Sequence, residues 1–385
     1  MGAPSVWAEI DLKAIAHNVN ELRRITQPGA HLMAVVKADG YGHGAVEVAR
    51  CALQNGASFL GVARIEEGIH IRKAGIPVPI LVFGYTHPQR AGDLLHYDLT
   101  QSVSTAATAL ELSEAAGALA SKIKIHLKVD TGMGRLGLLP QNFQSNNPAK
   151  INPDTIAETL AVADLDGLEL EGIFTHFASA DSADKTYAEY QLELFLNYLK
   201  RLQKAGLEPP LRHAANSGAV IDMPRSHLDL VRPGIAIYGL YPSDEVHRQR
   251  ISLKPAMALK SQIIQLKKVP AGFNVSYGST YTTRQPTTIA TVPIGYADGL
   301  NRLLSSSGQM LVGGRRVPIV GRVCMDLTML DVGDAKNVQM GDEVVVFGQQ
   351  GNVTLSVDEM AATLNTINYE IVTGISARVS RIYIK

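Results

Sequence analysis

Two patterns of hydrophobic and polar positions divide the chain. Between residues 11 and 251, short apolar, β-branched runs alternate with longer stretches in which apolar residues recur at helical spacing. From residue 252 the apolar runs are short and separated by Gly, Pro or Asn, and helical spacing returns only late, at VDEMAATLNT. The pattern predicts an α/β domain over 11–251, followed by an all-β domain over 252–385 that has one late helix and also takes in an N-terminal strand over 1–10.

The first domain contains eight candidate strands with helical stretches between them. The strands are predicted at 31–37, 58–63, 79–83, 98–103, 122–129, 172–177, 211–215 and 235–239. Eight strand–helix units predict a (β/α)8 TIM-type barrel, and a doubly wound sheet is the alternative. The stretch 141–154 is polar and without periodicity, which indicates a loop within this domain.

Composition narrows the class of protein. Lys and Arg number 36, and Asp and Glu also number 36, so there is no basic surplus of the kind that nucleic-acid binding requires. The only cysteines are Cys51 and Cys324, too few for a disulfide framework or a zinc cluster. No apolar run approaches the roughly 18 residues of a membrane span. Glu9 and Asp11 interrupt the place of a signal peptide, so we expect a cytoplasmic enzyme with no membrane partner.

Polar residues collect where the predicted barrel strands end. Barrel enzymes place their chemistry at the carboxyl ends of the strands. The polar residues and glycines at or beside the predicted strands are Lys37, Tyr41, Lys128, Asp130, Arg135, His176, His213, Asn216, Ser217, Arg232 and Gly234. Taken singly, each of them could be an ordinary solvent-exposed residue at the end of a strand. Their convergence on one barrel mouth predicts an active site there.

Lys37 is the sharpest single candidate. It follows four apolar residues (33–36), so we expect its ammonium group to be partly desolvated. Desolvation lowers the pKa of a lysine and frees the amine to form a Schiff base with an aldehyde. A pyridoxal phosphate enzyme needs such a lysine beside its cofactor.

Two other motifs have competing interpretations. GYGHGA (40–45) fits a dinucleotide fingerprint, but the acidic residue expected about 20 positions later is missing. Ser217 begins a helix-like stretch and, with Gly234, predicts a phosphate cradle, although an isolated serine is more often an N-cap. The histidines show no metal-binding spacing, so no metal site is predicted.

Several segments in order along the chain resemble the alanine racemases, a family of pyridoxal-phosphate-dependent enzymes. The matching segments are AVVKADGYGHG (34–44), LKVDTGMGRLG (127–137), GIFTHFASAD (172–181), RHAANSGA (212–219), LVRPGIAIYG (230–239), VSYGSTY (275–281), PIGYADG (293–299), GRVCMD (321–326) and INYEI (367–371). The chain departs from the family at Asp39–Gly40, where Asn–Ala is frequent. We expect no functional change from this departure.

The resemblance implies a two-base racemisation of alanine on a pyridoxal 5'-phosphate aldimine, which supplies D-alanine for peptidoglycan. Lys37 would carry the cofactor and act as the base on the D-alanine side, with Tyr277 as the opposite base. The cofactor-binding residues would be Tyr41, His176, Asn216, Ser217, Arg232, Gly234, Ile235 and Tyr369. The substrate-binding residues would be Arg135, Met325 and Tyr296. Lys128 matches a lysine that is often carbamylated, and a homodimer with active sites shared between subunits is implied.

Arg232 carries a distinct chemical expectation. Within this resemblance it would face the pyridine nitrogen, and because arginine stays charged and only donates hydrogen bonds, that nitrogen should remain unprotonated. The ring would then be a weaker electron sink, which disfavours transamination.

Alternatives to alanine racemisation are a serine or broad-specificity racemase, a related amino-acid decarboxylase and a non-enzymatic pyridoxal phosphate carrier. The carrier lacks the β-domain, and the decarboxylase would lack GRVCMD and VSYGSTY.

Overall fold

The computed structural model describes residues 4–141, 147–335 and 337–385, which form two compact units. The barrel unit comprises Ala14–Gly40 and Ala45–Lys254. The β-unit comprises the chain up to Lys13, Tyr41–Gly44 and Pro255–Lys385. The predicted domain bounds and the roles attached to them stay a prediction. Within the predicted loop at 141–154, residues 142–146 lie outside the described residues.

An eight-stranded parallel sheet forms the centre of the barrel unit. Its strands in chain order are His31–Val35, Phe59–Val62, Ile80–Val82, Thr100–Val103, Ile123–Lys128, Leu168–Phe174, Leu211–His213 and Leu230–Val231. The last strand pairs with the first. Two backbone hydrogen bonds join it to the seventh strand: Asp229 N donates to Arg212 O (3.0 Å) and Arg232 N to Ala215 O (2.9 Å). The sheet is therefore closed into the predicted barrel.

Helices follow most of the barrel strands, and apolar side chains fill the unit. The helices are Leu12–Ile25, Ala45–Gln54, Ile65–Lys73, Ala91–His96, Ala106–Gly117, Pro153–Ala163, Thr186–Lys204 and Ser217–Asp222, of which the first begins in the β-unit. Met33, Leu81 and Leu230 form one buried cluster from three different strands. Full burial of such a side chain stabilises a protein by about 1.5–3 kcal/mol. The barrel is thus a packed core, and the loops at its rim are left for chemistry.

The eighth strand was predicted at 235–239, and this prediction is wrong. The strand is Leu230–Val231, and Ile235–Tyr238 is a 3-10 helix that ends at the left-handed Gly239 (φ 81°). Its four residues are fully buried. A short apolar run that is buried all round has no periodicity to separate strand from helix. Arg232 and Gly234 consequently follow the last strand instead of preceding it.

Other boundaries shift by a few residues. The first strand ends at Val35, so Lys37 opens the loop rather than ending the strand. The sixth strand begins at Leu168 rather than at residue 172. Among the described residues, no helix is both long and apolar enough to cross a membrane.

The β-unit is built from strands with short connections. Its largest sheet contains Arg315–Pro318, Gln309–Val312, Glu343–Gln350, Met257–Gln262, Val6–Asp11 and Ser380–Ile384 in spatial order, with Val353–Leu355 paired to Glu343–Gln350. A three-stranded sheet contains Gln265–Val269, Thr287–Val292 and Thr328–Asp331, and Asn274–Val275 pairs with Tyr281–Thr282. Two late helices, Val357–Thr363 and Asn368–Thr373, stand where one was predicted. Residues 258–269 are divided between two strands in different sheets, Met257–Gln262 in the largest sheet and Gln265–Val269 in the three-stranded one.

Candidate active site

Lys37 begins a left-handed turn at the end of the first barrel strand. The next three residues have positive φ: Ala38 (53°), Asp39 (51°) and Gly40 (60°). Non-glycine residues rarely adopt this conformation, and strained backbone of this kind concentrates at functional sites. Gly40 N donates to Val36 O (2.8 Å), which closes the turn directly after the apolar run.

Glu67 fastens this turn to the neighbouring loop. Its carboxylate accepts hydrogen bonds from the backbone N–H groups of Ala38 (2.6 Å), Ala63 (2.7 Å) and Arg64 (3.0 Å). Asp39 Oδ1 accepts another from Ala45 N (2.9 Å) at the start of the next helix. Glu67 was not among the predicted site residues. The sequence pattern that could have identified it is an acidic residue at the third position of a helix, three residues after the N-cap. A carboxylate there can accept hydrogen bonds from the free backbone N–H groups at the helix start.

The environment of Lys37 favours the neutral amine. The residue is half-buried, and burial is the main cause that lowers its pKa below the ordinary value. The positive charge of Arg135 lowers this pKa further, while Glu67 opposes the effect. The desolvation predicted from the flanking apolar residues is present, and it makes the amine available as a nucleophile or base.

The fifth strand supplies a second buried lysine and a rigid loop. Lys128 ends this strand, and its Nζ donates to Val129 O (2.7 Å) and lies 5.6 Å from the centre of the Phe174 ring. Burial lowers the pKa of Lys128 to about 7. The Asp130 carboxylate accepts hydrogen bonds from three backbone N–H groups, those of Gly132, Gly134 and Arg135. This clamp fixes the start of the Arg135 side chain, which is itself exposed.

Arg232 is buried at the carboxyl end of the eighth strand, with 4% of its surface exposed. Its Nη1 donates to His213 Nδ1 (2.8 Å). Its Nη2 donates to Thr175 O (2.8 Å), Ala214 O (3.0 Å) and His176 Nδ1 (3.3 Å). Burial lowers the pKa of Arg232 to about 9. A cation in this position is held in one orientation by acceptors at the ends of the sixth and seventh strands.

His176 is held as a neutral ring beside this arginine. Burial, followed by the charge of Arg232, lowers its pKa well below the ordinary value. Arginine only donates, so Nδ1 of His176 is the acceptor in their hydrogen bond and the ring proton resides on Nε2. The ring therefore has a defined tautomer as well as a defined position.

Ser217 joins two turns at the barrel rim. Its Oγ accepts hydrogen bonds from Gly234 N (2.9 Å) and Ala236 N (3.4 Å). The alternative interpretation of Ser217 as an N-cap is wrong, because Asn216 takes that position and its side chain accepts from Ala219 N (3.1 Å). A hydroxyl surrounded by backbone N–H groups is the donor set that phosphate oxygens require. Ile235, the remaining predicted binding residue here, is buried. It lies in the sequence between Gly234 and Ala236, whose N–H groups bond Ser217.

Within the β-unit, Tyr277 is strongly exposed, with 72% of its surface accessible. It begins a short 3-10 turn between two left-handed residues, Ser276 (φ 70°) and Gly278 (φ 71°). Ser276 Oγ donates to Arg322 O (2.7 Å), which ties this turn to the segment that leads to Met325. The turn is therefore held by the Ser276 hydroxyl, while the Tyr277 phenol is exposed.

Met325 and Tyr296 lie on neighbouring turns of the same unit. Tyr296 N donates to Cys324 O (3.0 Å), and Ala297 N donates to Met325 O (3.0 Å). Both side chains are exposed, by 53% for Met325 and 42% for Tyr296. The Met325 carbonyl is already engaged in this backbone contact.

Tyr41 and Tyr369, also of the β-unit, lie side by side with ring centres 6.1 Å apart. Tyr41 is buried, and burial raises the pKa of its phenol, so the hydroxyl stays protonated as a donor. Gly42 permits this approach, because a Cβ there would lie 2.2 Å from Val372 O. The predicted residues thus fall into two groups, one in each unit.

Comparisons with known proteins match almost the whole chain. The family described as alanine racemase, N-terminal domain, matches residues 10–242, and its C-terminal domain matches residues 256–383. An alanine racemase of Desulfosudis oleivorans is 58% identical over 381 residues, covering 98% of this chain and 96% of that protein.

Solved structures give the same match. The alanine racemase of Clostridium difficile superimposes with a TM-score of 0.93 at 39% identity, covering 100% of this chain and 97% of that one. The alanine racemase of Bartonella henselae, solved with covalently bound pyridoxal phosphate, superimposes with a TM-score of 0.84 at 30% identity. It covers 99% of this chain and 100% of that one.

Proposed function

The chain belongs to the alanine racemase family, and we propose from this premise that it interconverts L-alanine and D-alanine by a two-base mechanism. It is an isomerase of the pyridoxal-dependent racemase family. The product D-alanine serves peptidoglycan synthesis, and we place the enzyme in the cytoplasm. The observation that carries the proposal is the desolvated Lys37 on its fixed turn, in a chain that matches both domains of the family.

The residues present fit pyridoxal 5'-phosphate. Lys37 offers an amine whose pKa is lowered, Ser217 offers a hydroxyl among backbone donors, and Arg232 offers a buried cation. When bound, the cofactor would withdraw electrons from the substrate and so acidify the hydrogen on its α-carbon. Aldehyde, phosphate and pyridine nitrogen are three different chemical groups, and the barrel unit supplies a suitable partner for each.

The individual roles follow the family pattern. Lys37 would hold the aldehyde, Arg232 would face the pyridine nitrogen and His176 would lie against the ring. Phosphate would be held by Tyr41, Ser217, Gly234, Ile235 and Tyr369, with Asn216 fixing the adjoining turn. The substrate carboxylate would be met by Arg135 and Met325, with Tyr296 beside it.

Proton transfer requires one base on each face of the α-carbon. Lys37 would remove the proton from D-alanine, and Tyr277 would deliver one to the opposite face. In the L-to-D direction the two groups exchange these tasks. General acid–base catalysis works best when the pKa of each group approaches the working pH. Burial lowers the pKa of Lys37 and so brings it closer to neutral pH.

We propose that the active enzyme is a homodimer that shares its active sites. Tyr277 cannot act as a base in a water-excluded site while 72% of it is exposed. Large apolar side chains of the same unit are exposed as well, among them Leu303, Met325 and Ile367. Exposed apolar surface of this kind is typical of an interface between proteins. A second copy of the chain would cover Tyr277 and complete the site.

Lys128 has the properties that carbamylation requires. Its pKa of about 7 leaves much of the amine uncharged at neutral pH. The nitrogen lone pair would attack CO2 to form the carbamate and release one proton. The resulting anion would offset the nearby positive charges of Arg135 and Arg232, which themselves lower the pKa of Lys128. We propose that the carbamate orients Arg135.

A direct test uses the purified protein. We expect visible absorbance from the bound cofactor, its covalent attachment to Lys37 by borohydride, and exchange of D- and L-alanine well above that of serine or other amino acids. Comparable rates with serine would support a broad-specificity racemase instead. Cofactor binding without exchange of any amino acid would support a carrier protein, and a colourless protein without exchange would refute the proposal.

A further inference from the structure

A series of polar side chains runs from Arg232 through two buried histidines to Glu171. Arg232 Nη1 lies 2.8 Å from His213 Nδ1, and His213 Nε2 lies 2.7 Å from His126 Nδ1. His126 Nε2 lies 3.9 Å from Glu171 Oε2, within ion-pair distance but not in a hydrogen bond, and Thr100 Oγ1 donates to the same carboxylate oxygen (2.8 Å). Both histidines are buried. The proposed function uses Arg232 but gives no role to the three residues behind it.

The arginine dictates the direction of the two hydrogen bonds in this series, Arg232 to His213 and His213 to His126. A guanidinium group only donates, so Nδ1 of His213 must be a lone-pair acceptor. The neutral ring then carries its proton on Nε2 and donates it to Nδ1 of His126. His126 in turn must carry its proton on Nε2, which faces Glu171. An imidazolium form of either ring would place a proton against a donor.

The burial of the two rings agrees with this assignment. Burial lowers the pKa of His126 to about 3, with the charge of Arg232 as a second cause. Burial and Arg232 also lower the pKa of His213 well below the ordinary value. Both rings are therefore neutral at physiological pH, as the hydrogen-bond directions require.

An irregularity between the fifth and sixth barrel strands builds the far end of the series. Ile125 pairs with Leu170, but His126 pairs with Gly172, which leaves Glu171 as an extra residue. Such a bulge redirects a side chain that would otherwise follow the strand alternation. A Cβ at Gly172 would lie 2.8 Å from Cε1 of His126, so glycine is what gives this ring its space.

Arg232 needs such compensation because it is buried and, among the described residues, no carboxylate lies within ion-pair distance of its guanidinium group. Its acceptors are two carbonyl groups and two imidazoles. The aligned imidazoles present lone pairs to the guanidinium and N–H groups to Glu171, which is the favourable orientation for a cation at one end and an anion at the other.

We propose that His213, His126 and Glu171 are positioning residues with fixed tautomers, which hold Arg232 charged and correctly oriented at the barrel mouth. The tautomers are a property of the polypeptide alone. Their consequence for catalysis, a donor-only group facing the pyridine nitrogen, rests on the proposed function.

The tautomers can be measured by ¹⁵N NMR of histidine-labelled purified protein. We expect both rings to show a protonated Nε2 and an unprotonated Nδ1, unchanged from about pH 8 to about pH 5, where ordinary histidines titrate. The His126 signals are identified by their loss in His126→Asn, and those of His213 by the coupling across the hydrogen bond that joins the rings. A proton on Nδ1 of either ring, or titration in this interval, would overturn the proposal.

Two substitutions at one position separate positioning from simple packing. His126→Leu removes the acceptor of His213, so we expect kcat to fall about tenfold with little change in KM for alanine, together with faster solvent exchange of the His213 Nε2 proton. His126→Asn keeps an acceptor near the place of Nδ1 and should recover most of the loss. Equal losses in both variants, or none in His126→Leu, would refute the positioning role. The NMR result requires no activity, so a failure to racemise alanine would leave it intact.

Discussion

The two units treat their proposed catalytic bases in opposite ways. In the barrel unit, Lys37 is half-buried on a strained turn whose backbone is fixed by Glu67. In the same unit, the Lys128 amine and the Arg232 guanidinium group are buried and donate to defined acceptors. In the β-unit, Tyr277 lies on a turn held by the hydroxyl of the adjacent Ser276, and most of Tyr277 is exposed.

The two units therefore differ in how far each one determines the surroundings of its own proposed base. The barrel unit sets the electrostatics of the proposed cofactor site within a single fold, because burial and hydrogen bonds determine both charge and orientation. The β-unit provides a side chain at a fixed place but not the water-excluded surroundings in which a phenol becomes a useful base. Under the proposed homodimer, a second copy of the chain would supply these surroundings.

The largest effects are expected when the two bases are removed separately. Lys37→Ala should abolish racemisation and covalent cofactor attachment. Tyr277→Phe should lower racemisation by about 10²- to 10⁴-fold, while Lys37 still exchanges the α-proton of D-alanine in D₂O. NMR of the substrate measures both processes. Tyr281→Phe, a tyrosine of the same unit that bonds Asp331, is the control and should retain activity. Loss of D-alanine exchange in Tyr277→Phe would contradict the assignment of faces.

Reversal of the charge at Arg232 should change the type of reaction. Arg232→Glu would keep a proton near the pyridine nitrogen, so we expect pyruvate release by transamination to increase relative to racemisation. Coupled detection of pyruvate measures the ratio of the two products. Arg232→Lys keeps the charge, although it loses the forked geometry, and should lower the rate without raising this ratio. An unchanged ratio in Arg232→Glu would count against the role of Arg232.

Acid should destabilise the barrel unit through its buried histidines. The pKa of His126 is about 3 when folded and about 6.5 when unfolded, so its stabilising contribution is complete above pH 6.5 and is lost as pH falls toward 3. The slope per histidine is at most about 1.4 kcal/mol per pH unit. The groups around it are His213, Arg232 and Glu171.

Denaturant unfolding of His126→Asn measures this contribution. The variant should show a shallower loss of stability below pH 6.5 than the unsubstituted protein. His70→Asn, at an exposed helix position, serves as the control and should leave the pH dependence unchanged. If the unfolding free energy of His126→Asn fell with pH as steeply as that of the unsubstituted protein, burial would not be what keeps His126 neutral.

The smallest effects are expected in the turn that carries Lys37. Gly40→Ala places a Cβ at φ 60°, 3.2 Å from Ala45 N, and should cost about 1 kcal/mol of unfolding free energy. Ala38→Gly, at φ 53°, should instead be neutral or stabilising by less than about 1 kcal/mol. Thermal unfolding compares the two variants. A stabilising Gly40→Ala would show that the turn does not keep this conformation in solution.

The sequence predicted the barrel because its strands alternate with amphipathic helices, and this periodicity survives small errors in the strand bounds. Polar residues at strand ends were equally readable, since the barrel brings carboxyl ends together. The exception was the run 235–239, whose residues are buried on every side and therefore carry no period. Four site residues of the β-unit, Tyr277, Tyr296, Met325 and Tyr369, were predicted only through the family resemblance.

Other parts of the site depend on three-dimensional detail. Glu67 acts through backbone N–H groups, which leave no mark in the sequence of the residues that donate them. His126 resembles any histidine on a strand until a bulge brings Glu171 toward it. The positive φ angles at Ala38 and Asp39 oppose local preference and were not predictable from residue type.

The exposure of Tyr277 has a genetic consequence if the second copy supplies its surroundings. A subunit without a functional Lys37 could still lend its phenol to a neighbour whose own phenol is missing but whose lysine is intact. Two alleles that are each inactive alone would then complement one another in the same cell. Such rescue is a property that an enzyme with self-contained subunits could not show.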